Sequence, residues 1–474
     1  MRITKLSIKN YKNLQDFSWE LNADYPVAVI VGKNGSGKTN LLEAIITIFQ
    51  DLQLYREESK NNSLPKFKFE LEYQHGEDNE NTISIKNNDK FEITQNGEGV
   101  SLSRLETLRQ DASQGKDILP KTIFVYYAGN TTRLQDLTNK SVSQYERLLI
   151  DIAYNRRSDF QYSLTQPLFY YDLPHHKIAF LTLCLSSLDS IKNDFLEDEL
   201  GVTDLDSVSF TITRPDWKRH STSASDIENF WDAPVFLKRI LGILRETANL
   251  EESKGSGEIT FEILGNELKE KFAEFSSEKD FFQQLSNLTL AKYLTNIEIK
   301  VIKKDMETPI KFADLSEGEW QRIAIRGAME IFRGEEALFL LDEPDTFAHP
   351  RWQWDFVPDL KEAIGENKNM QAIFITHSPL VLSSVEKNAF FMEAGQIHIL
   401  QENFGQDANM SLAKMDVNPQ MEQVVNDFQR YYSLIKDGQG ETEKALAERA
   451  RLEDIYGLNH EKFDSADIML SFYK

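Results

Sequence analysis

The sequence of 474 residues predicts an α/β fold with a mixed sheet, an antiparallel β lobe, an inserted helical lid and a short helical tail. Two observations carry this prediction. A glycine-rich loop at 32–39 stands between an apolar run and a helix-forming segment, and the apolar runs 337–341 and 372–376 each end in polar residues. Continuous apolar runs of this length are typical of buried parallel strands, and strands alternating with helices are typical of α/β domains.

Changes in patterning divide the chain into four predicted parts. Apolar and polar residues alternate in Ile3–Ile8 and Phe67–Tyr73, as in antiparallel strands, whereas the middle of the chain has mostly helical spacing. The parts are an N-terminal α/β part, a mainly helical insertion, a second α/β part and a helical tail, at 1–136, 137–296, 297–400 and 401–474.

Composition and charge argue against several classes of protein. The net charge of −23 does not favour attraction of the whole surface to DNA or RNA, although a local basic groove stays open. No stretch reaches the roughly 20 apolar residues of a membrane helix, and Met1–Leu6 does not resemble a signal peptide. Cys184, the single cysteine, lies in an apolar run and is expected to be buried. We therefore expect a cytoplasmic protein without disulfides and without a membrane partner.

The glycine-rich loop Gly32–Thr39 matches the full pattern G-x-x-x-x-G-K-[ST] of a phosphate loop. Glycines allow successive backbone N–H groups to turn towards phosphate oxygens, and the following helix N-terminus adds partial positive charge. Lys38 can reach the β- and γ-phosphates, and the Thr39 hydroxyl can ligate Mg²⁺. ATP and Mg²⁺ are the expected cofactors. The predicted nucleotide-binding residues of this loop are Asn34, Gly35, Ser36, Gly37, Lys38 and Thr39.

Polar residues follow two of the buried strands. Asp342 and Glu343 end the run 337–341; Asp342 is predicted to lie near Mg²⁺, and Glu343 to polarise the water that attacks the γ-phosphate. An acidic pair at a strand end could instead cap a helix. His377 follows the run 372–376 and can hydrogen-bond the γ-phosphate. Glu343 and His377 are therefore the predicted catalytic residues, and Asp342 and Thr39 the predicted metal ligands.

The segment Leu315–Arg322 stands ahead of a predicted helix. Ser316 and the backbone of Gly318 could donate hydrogen bonds to a γ-phosphate at the helix N-terminus, with Glu319 beside them. Alone, this pattern is equally that of an ordinary capping box. Its place 26 residues ahead of Asp342 makes it specific, so Ser316, Gly318 and Glu319 join the predicted nucleotide-binding residues.

This ordered set of motifs resembles the ABC-type ATPase heads of the RecF, SMC and Rad50 group, over about 1–135 and 297–400. By this resemblance Leu315–Gln321 is the signature motif, which contacts nucleotide held by another subunit. His377 is then the switch histidine and Thr346–Pro350 the D-loop. Because one head lacks the donors that complete its own site, the resemblance implies a homo-oligomer that sandwiches ATP between heads.

Two further segments bear on the resemblance. Asn10-Tyr11-Lys12 is similar to the turn after the first strand of that group. The group's Q-loop is expected at Tyr126–Asn130, where no glutamine stands, and Gln135 lies slightly downstream. The Q-loop residue therefore stays unassigned.

The chain lacks features of several members of the group. A Cys-x-x-Cys hook and a long coiled coil, as in Rad50 and SMC proteins, are missing, and about 75 residues after Leu400 are too few for an appended nuclease domain. The remaining layout resembles ATPases of bacterial anti-phage systems, particularly the PtuA type of Septu, which is paired with an HNH nuclease. The stretch Leu452–Asp467 is similar to a PtuA-type ending. By this resemblance the tail or the lid docks a separate nuclease, although the tail could merely pack on its own head.

Two other functions remain open from the sequence. One is a RecF-like clamp, in which ATP-driven dimerisation grips DNA directly. The other is a nucleotide sensor with little turnover, in which Glu343→Gln would leave function intact. Nucleic acid is a possible partner through the complex with the nuclease.

Overall fold

Three β-sheets and the helices between them build the larger of two units in this computed structural model. The units comprise residues 1–406 and 407–474, and each is described by itself. The described residues are 1–55, 64–76, 79–88, 90–102, 118–129, 131–154, 166, 168–218, 227–254, 257–365 and 369–473. Their strands are β1 Arg2–Lys9, β2 Phe17–Glu20, β3 Val27–Gly32, β4 Lys68–His75, β5 Asn81–Asn87, β6 Phe91–Gln95, β7 Glu98–Val100, β8 Thr122–Tyr127, β9 Leu168–Tyr170, β10 Val202–Thr213, β11 Leu250–Lys254, β12 Glu258–Leu264, β13 Leu294–Lys303, β14 Ile310–Lys311, β15 Ala337–Asp342, β16 Met370–Ile375, β17 Ala389–Glu393 and β18 Gln396–Leu400.

The helices pack on these sheets or form the smaller unit. Two π-helical segments, Ser190–Glu199 and Ile323–Gly327, and the 3₁₀ turn Phe312–Asp314 accompany them. The α-helices of the described residues are α1 Lys38–Leu54, α2 Arg133–Ala153, α3 Leu173–Leu185, α4 Val235–Thr247, α5 Gly265–Phe272, α6 Glu278–Leu290, α7 Glu317–Arg322, α8 Ala328–Ile331, α9 Pro350–Ile364, α10 Pro379–Ser383, α11 Ala408–Lys414, α12 Glu422–Lys436, α13 Glu443–Tyr456 and α14 Glu461–Phe472.

A seven-stranded sheet has the order β18-β17-β3-β16-β15-β8-β9, parallel throughout except for the β17–β18 pair. All residues of β3, β15 and β16 are buried, because helices or the neighbouring sheet cover both faces. These are the strands that the apolar runs predicted, and the α/β fold class is confirmed. Since parallel strands end at the same edge, the residues after β3, β15 and β16 are brought together.

A six-stranded antiparallel sheet, in the order β2-β1-β4-β5-β6-β7, shares a hydrophobic core with α1 and the large sheet. Its strands bury alternate residues, as the β4 residues Phe69, Leu71 and Tyr73 illustrate. The predicted antiparallel β lobe is therefore present in the N-terminal part.

The insertion contains a sheet that the sequence analysis did not predict. Besides helices it contains most of a five-stranded antiparallel sheet, in the order β11-β12-β10-β13-β14. The sequence analysis missed β10 because its first half, Val202–Ser207, carries two aspartates and no regular alternation. Pairing with β12 and β13 supplies the stabilisation that local preference lacks. Strand β13 also crosses the predicted boundary at 296, because its residues on both sides of that boundary pair with β10.

The smaller unit consists of helices around its own hydrophobic core. Its helices α11, α12, α13 and α14 lie in the part of the chain for which the sequence analysis expects a helical tail. Phe428, Tyr431 and Phe463 are buried in this core. Nowhere in the described chain is a helix both long and apolar enough to cross a bilayer.

Candidate functional site

The phosphate loop connects β3 to α1 at the edge where the parallel strands end. Gly35 and Gly37 have φ angles of 76° and 109°, which residues with a side chain rarely adopt. A Cβ on Gly37 would lie 2.6 Å from Asn13 Nδ2. Asn13 Nδ2 donates to the carbonyl oxygens of Gly35, at 3.3 Å, and Ser36, at 2.9 Å. The loop therefore holds its conformation through glycine and through a side chain from the β lobe.

The polar groups of this loop fit a phosphate ligand. Lys38 is only 6% exposed, and its Nζ donates to the carbonyl oxygens of Gly32, at 2.8 Å, and Lys33, at 3.0 Å. Burial lowers the pKa of Lys38, and the nearby carboxylates Asp342 and Glu343 partly oppose this. The buried hydroxyl of Ser36 has no hydrogen-bond partner among the described residues. Anionic phosphate oxygens would satisfy both groups.

The predicted metal ligands meet directly. Thr39 Oγ1 donates to Asp342 Oδ2 at 2.8 Å across the edge of the sheet. Asp342 is 1% exposed, and burial raises its pKa to about 6, with the charge of Glu343 acting in the same direction. A buried carboxylate beside a hydroxyl is a suitable pair of oxygen ligands for Mg²⁺, which would favour the ionised form of Asp342.

The two predicted catalytic side chains also lie together. His377 Nε2 is 3.5 Å from Glu343 Oε1, and both side chains are partly exposed. Burial and the charge of Lys38 lower the pKa of His377, against the attraction of Glu343. Glu343 has a φ of 54°, and its N–H donates to the Ile375 carbonyl at 2.9 Å. The end of β16 thus holds Glu343 in an uncommon left-handed conformation, as is frequent at active sites.

The signature residues lie apart from this cluster. Ser316 is the N-cap of α7, and its Oγ accepts from the Glu319 N–H at 3.3 Å. Glu319 Oε2 accepts from the Ser316 N–H at 2.8 Å, and Glu319 Oε1 lies 2.5 Å from Lys303 Nζ. None of the hydrogen bonds or ion pairs found for Ser316 and Glu319 in the described chain reaches the phosphate loop. A Cβ on the buried Gly318 would meet the Phe347 carbonyl oxygen at 3.0 Å, so α7 packs against the D-loop.

Sequence reasoning gave no role to several residues around the loop. Buried Glu43 on α1 accepts from Tyr11 and forms ion pairs with Lys12 and Arg133. The motif search singled out Tyr11 and Lys12 only as part of a turn, and nothing in the local sequence distinguishes Arg133. Asp345 is buried too, and accepts a hydrogen bond of 2.7 Å from Thr376 Oγ1. Burial raises its pKa to about 6.

The structure shows where the chain runs after β8, at the position where the Q-loop is expected. The Ala128 N–H donates to the Asp342 carbonyl at 3.2 Å, so the chain after β8 is attached to the end of β15. Asn130 lies outside the described residues, and Gln135 is in the first turns of α2.

Comparison with known proteins places the chain in a family. Residues 27–383, more than half of the chain, match the family described as "AAA domain, putative AbiEii toxin, Type IV TA system". A protein of Vibrio cholerae serotype O1 biovar El Tor named "Retron Vc95 probable ATPase" is 23% identical over 484 residues, which cover 94% of this chain and 85% of the relative. The DNA replication and repair protein RecF of Staphylococcus haemolyticus is 31% identical over 117 residues, 23% of this chain and 28% of RecF.

Two solved structures match this chain with low TM-scores. The SMC head bound to the C-terminal winged-helix domain of ScpA has a TM-score of 0.37 and 15% identity, and the match covers 84% of this chain and 97% of that one. The recombination mediator RecF with ATP has a TM-score of 0.33 and 15% identity, with 84% and 97% covered. Because the family match spans more than half of the chain, from the phosphate loop to beyond His377, this chain belongs to that AAA-domain family.

Proposed function

We propose that this protein binds and hydrolyses ATP at sites composed from two copies of the chain, and that its nucleotide state controls a separate nuclease. The observation that carries the proposal is the division of the polar groups between two places. The phosphate loop, Asp342, Glu343 and His377 form one cluster, whereas the exposed Ser316 makes its side-chain hydrogen bonds within its own capping box. A second copy can supply the missing donors.

The residues of the cluster have separate roles in this proposal. Lys38 and the loop N–H groups would bind the phosphates, and Thr39 and Asp342 would hold Mg²⁺, which supplies charge neutralisation when bound. Glu343 would orient and polarise the attacking water, and His377, 3.5 Å away, would respond to the γ-phosphate. Positioning and electrostatics of this kind account for most of phosphoryl-transfer catalysis.

Substitution of Glu343 tests the composite site. Glu343→Gln should lower ATP turnover about 10²- to 10³-fold, since the carboxylate charge is lost while the side-chain shape remains. ATP and Mg²⁺ should then hold the variant in an associated form, measured by light scattering. Lys38→Ala is the control and should remain unassociated with ATP. Undiminished turnover in Glu343→Gln would refute the catalytic role, and little turnover already in the wild type would favour a nucleotide sensor.

Control of a nuclease is the second part of the proposal. The PtuA-type ending, the relative named as a retron ATPase and the family description, which names a toxin of a toxin–antitoxin system, support a partnered system of anti-phage type. The tail has its own hydrophobic core and is the favoured docking unit. Full-length protein co-expressed with the product of a neighbouring HNH reading frame should co-purify with it. Separation of the two on gel filtration would count against this part.

A RecF-like clamp is the alternative, favoured by the RecF match over 117 residues. It requires a basic groove across the dimer, and the net charge of −23 gives it little support. Duplex DNA should stimulate the ATPase strongly if the clamp is correct. A rate that duplex DNA leaves unchanged is expected for the composite ATPase proposed above.

A further inference from the structure

A pocket of about 330 Å³ is lined by residues that follow β8 and β9, and its described lining includes no phosphate-loop residue and none of Asp342, Glu343 and His377. It opens at the ends of β8 and β9, between the first turns of α2 and α3. Six of its lining residues matter here: Tyr126, Tyr127, Tyr170, Tyr171, Asp172 and His176. Tyr127 pairs in register with Asp342, and the Ala128 N–H donates to the Asp342 carbonyl. Crevices at the carboxyl ends of parallel strands are common binding sites in α/β proteins.

Close packing fixes the aromatic walls. A Cβ on Gly129 would lie 2.1 Å from Tyr127 Cζ, so only glycine permits this position of the Tyr127 ring. The Tyr171 ring is 4.7 Å from the His176 ring and 6.3 Å from the Tyr126 ring. The walls therefore offer aromatic surface that is already ordered, which lowers the entropy cost of binding.

Two polar side-chain atoms of the pocket wall lack a hydrogen-bond partner among the described residues. Tyr171 is 2% exposed, and its hydroxyl has no hydrogen-bond partner among the described residues. The same holds for His176 Nδ1. Burial, together with neighbouring His175, lowers the pKa of His176 to about 4, so the ring is neutral near pH 7. Buried polar atoms without partners are rare in folded proteins, and each needs an explanation.

The charge of the pocket argues against a phosphate ligand. Asp172 carries the acidic group of the wall, and no lysine or arginine is found among the described residues that line it. Burial raises the pKa of Asp172, but hydrogen bonds and attraction involving His175 outweigh it and lower the pKa overall. The ionised carboxylate repels anions and accepts hydrogen bonds from amino groups. The ATP site, with Lys38 and open N–H groups, has the opposite character.

We propose that this tyrosine-lined pocket is a second ligand site, which takes a neutral nucleobase that carries an exocyclic amino group. Tyrosine rings supply stacking surfaces, and aromatic stacking is the usual way in which proteins hold an unpaired base. Asp172 accepts from the amino group, and the Tyr171 hydroxyl and His176 Nδ1 bond the remaining polar edge. The pocket volume suits one base, from a free nucleoside or from a single strand.

The walls of the pocket also lie next to the predicted signature helix α7. Gln321 of the predicted signature helix adjoins Tyr126, and its Oε1 accepts a hydrogen bond from the Phe347 N–H, in the predicted D-loop, at 3.0 Å. The His176 ring lies 6.3 Å from the Trp320 ring. This linkage rests on the proposed ATPase function. Because the base would contact these walls, its binding is expected to change the rate of ATP turnover, whereas the binding itself is independent of turnover.

Cytidine and uridine are matched probes, since they differ at the amino group. Their binding to the full chain is measured by titration calorimetry with Mg²⁺ and a non-hydrolysable ATP analogue at saturation, so that the ATP site is filled. Cytidine should bind at least about tenfold more tightly than uridine, the effect of one good hydrogen bond. A deoxycytidylate hexamer that binds more tightly than cytidine identifies a single strand as the source, and equal or weaker binding identifies a free nucleoside.

Three variants distinguish a loss of cytidine binding from a loss of folding. Tyr171→Phe should retain thermal stability, because its hydroxyl has no partner to lose, and should weaken cytidine binding about fivefold or more. Tyr293→Phe is the matched control, since its hydroxyl is also buried and unpartnered but lies outside the pocket; it should bind cytidine normally. Asp172→Asn retains an N-cap for α3 and should abolish the preference for cytidine.

Several results would overturn the proposal. Absence of cytidine binding, equal affinity for cytidine and uridine, or equal weakening by Tyr171→Phe and Tyr293→Phe would each refute the site. Normal cytidine binding without any change in ATP turnover would refute the link to the ATPase and leave the site intact. Cytidine binding by a protein that lacks ATP turnover would refute the proposed function and not this pocket.

Discussion

The phosphate-loop edge and the signature helix of the same head differ in how their polar groups are arranged. At the edge of the large sheet, Asp342, Lys38 and Ser36 are buried, and Thr39 Oγ1 donates to Asp342 Oδ2. At the start of α7, Ser316 is exposed and its hydrogen bonds close within four residues. In the first region the Ser36 hydroxyl has no partner among the described residues, whereas in the second the side chains of Ser316 and Glu319 already have theirs. This difference is what a site divided between two copies predicts.

Removal of the Ser316 hydroxyl is the strongest test of this difference between the phosphate-loop edge and the signature helix. Ser316→Ala should lower ATP turnover about 100-fold, because a donor to the phosphate held by another copy is lost. It should also remove a helix cap, at a cost of about 1 kcal/mol in the free energy of unfolding. Turnover and urea unfolding are both measured.

Ser277→Ala provides the control, because Ser277 is an exposed N-cap of α6 with the same hydrogen bond, from the Asp280 N–H at 3.2 Å. The control should lose similar stability and retain its turnover. Equal turnover in the two variants would mean that Ser316 is only a cap.

A substitution of Asp342 tests the phosphate-loop edge, where a buried carboxylate stands without a bound ligand. Burial raises the folded pKa from 3.8 to about 6, so the folded protein binds the extra proton and this group becomes less favourable as the pH rises from about 4 to 6. At pH 7 the ionised, buried carboxylate costs roughly 3 kcal/mol, and at pH 4 less than about 1 kcal/mol. Asp342→Asn should therefore stabilise the nucleotide-free protein at pH 7 and much less at pH 4.

Urea unfolding at both pH values measures this effect, and activity should be lost in the variant because a metal ligand is removed. Asp198→Asn, at an exposed aspartate, serves as the control for a change of charge. An Asp342→Asn protein no more stable than the wild type at pH 7 would refute a ligand-dependent site.

The smallest expected change in stability comes from substitutions in the phosphate loop itself. Gly35→Ala should cost about 1–2 kcal/mol of stability, since its φ is positive but nothing lies within 4 Å of the new Cβ. Gly37→Ala should cost more, because its Cβ must also displace Asn13, which braces the loop. Unfolding of the nucleotide-free proteins compares them. Equal losses would show that Asn13 adjusts freely.

The sequence predicted the phosphate-loop edge well because its information is local. Each of its motifs stands at the end of a continuous apolar run, and parallel strands bring those ends together whatever the loops between them do. The structure brings Thr39 to Asp342 and Glu343 to His377. The roles of these residues remain predictions, as do those of Ser316, Gly318 and Glu319, which also depend on a second copy.

The insertion was predicted less well because its stability comes from distant pairing. Strand β10 carries aspartates where alternation is expected, and it is fixed by β12 and β13, more than 40 residues away in the chain. Arg133 and the tyrosine pocket were missed for the same reason. They depend on contacts between segments whose own sequences carry no motif.

Mixing two inactive variants tests the composite site most directly. Lys38→Ala removes the loop lysine and Ser316→Ala removes the signature hydroxyl, so each protein alone should be nearly inactive. In a mixture of equal amounts, a site is intact when an unchanged Lys38 meets an unchanged Ser316 from another copy. If subunits exchange at random, about a quarter of the wild-type turnover should return. Turnover equal only to the sum of the two separate variants would contradict the account, because it would place both groups in the same copy.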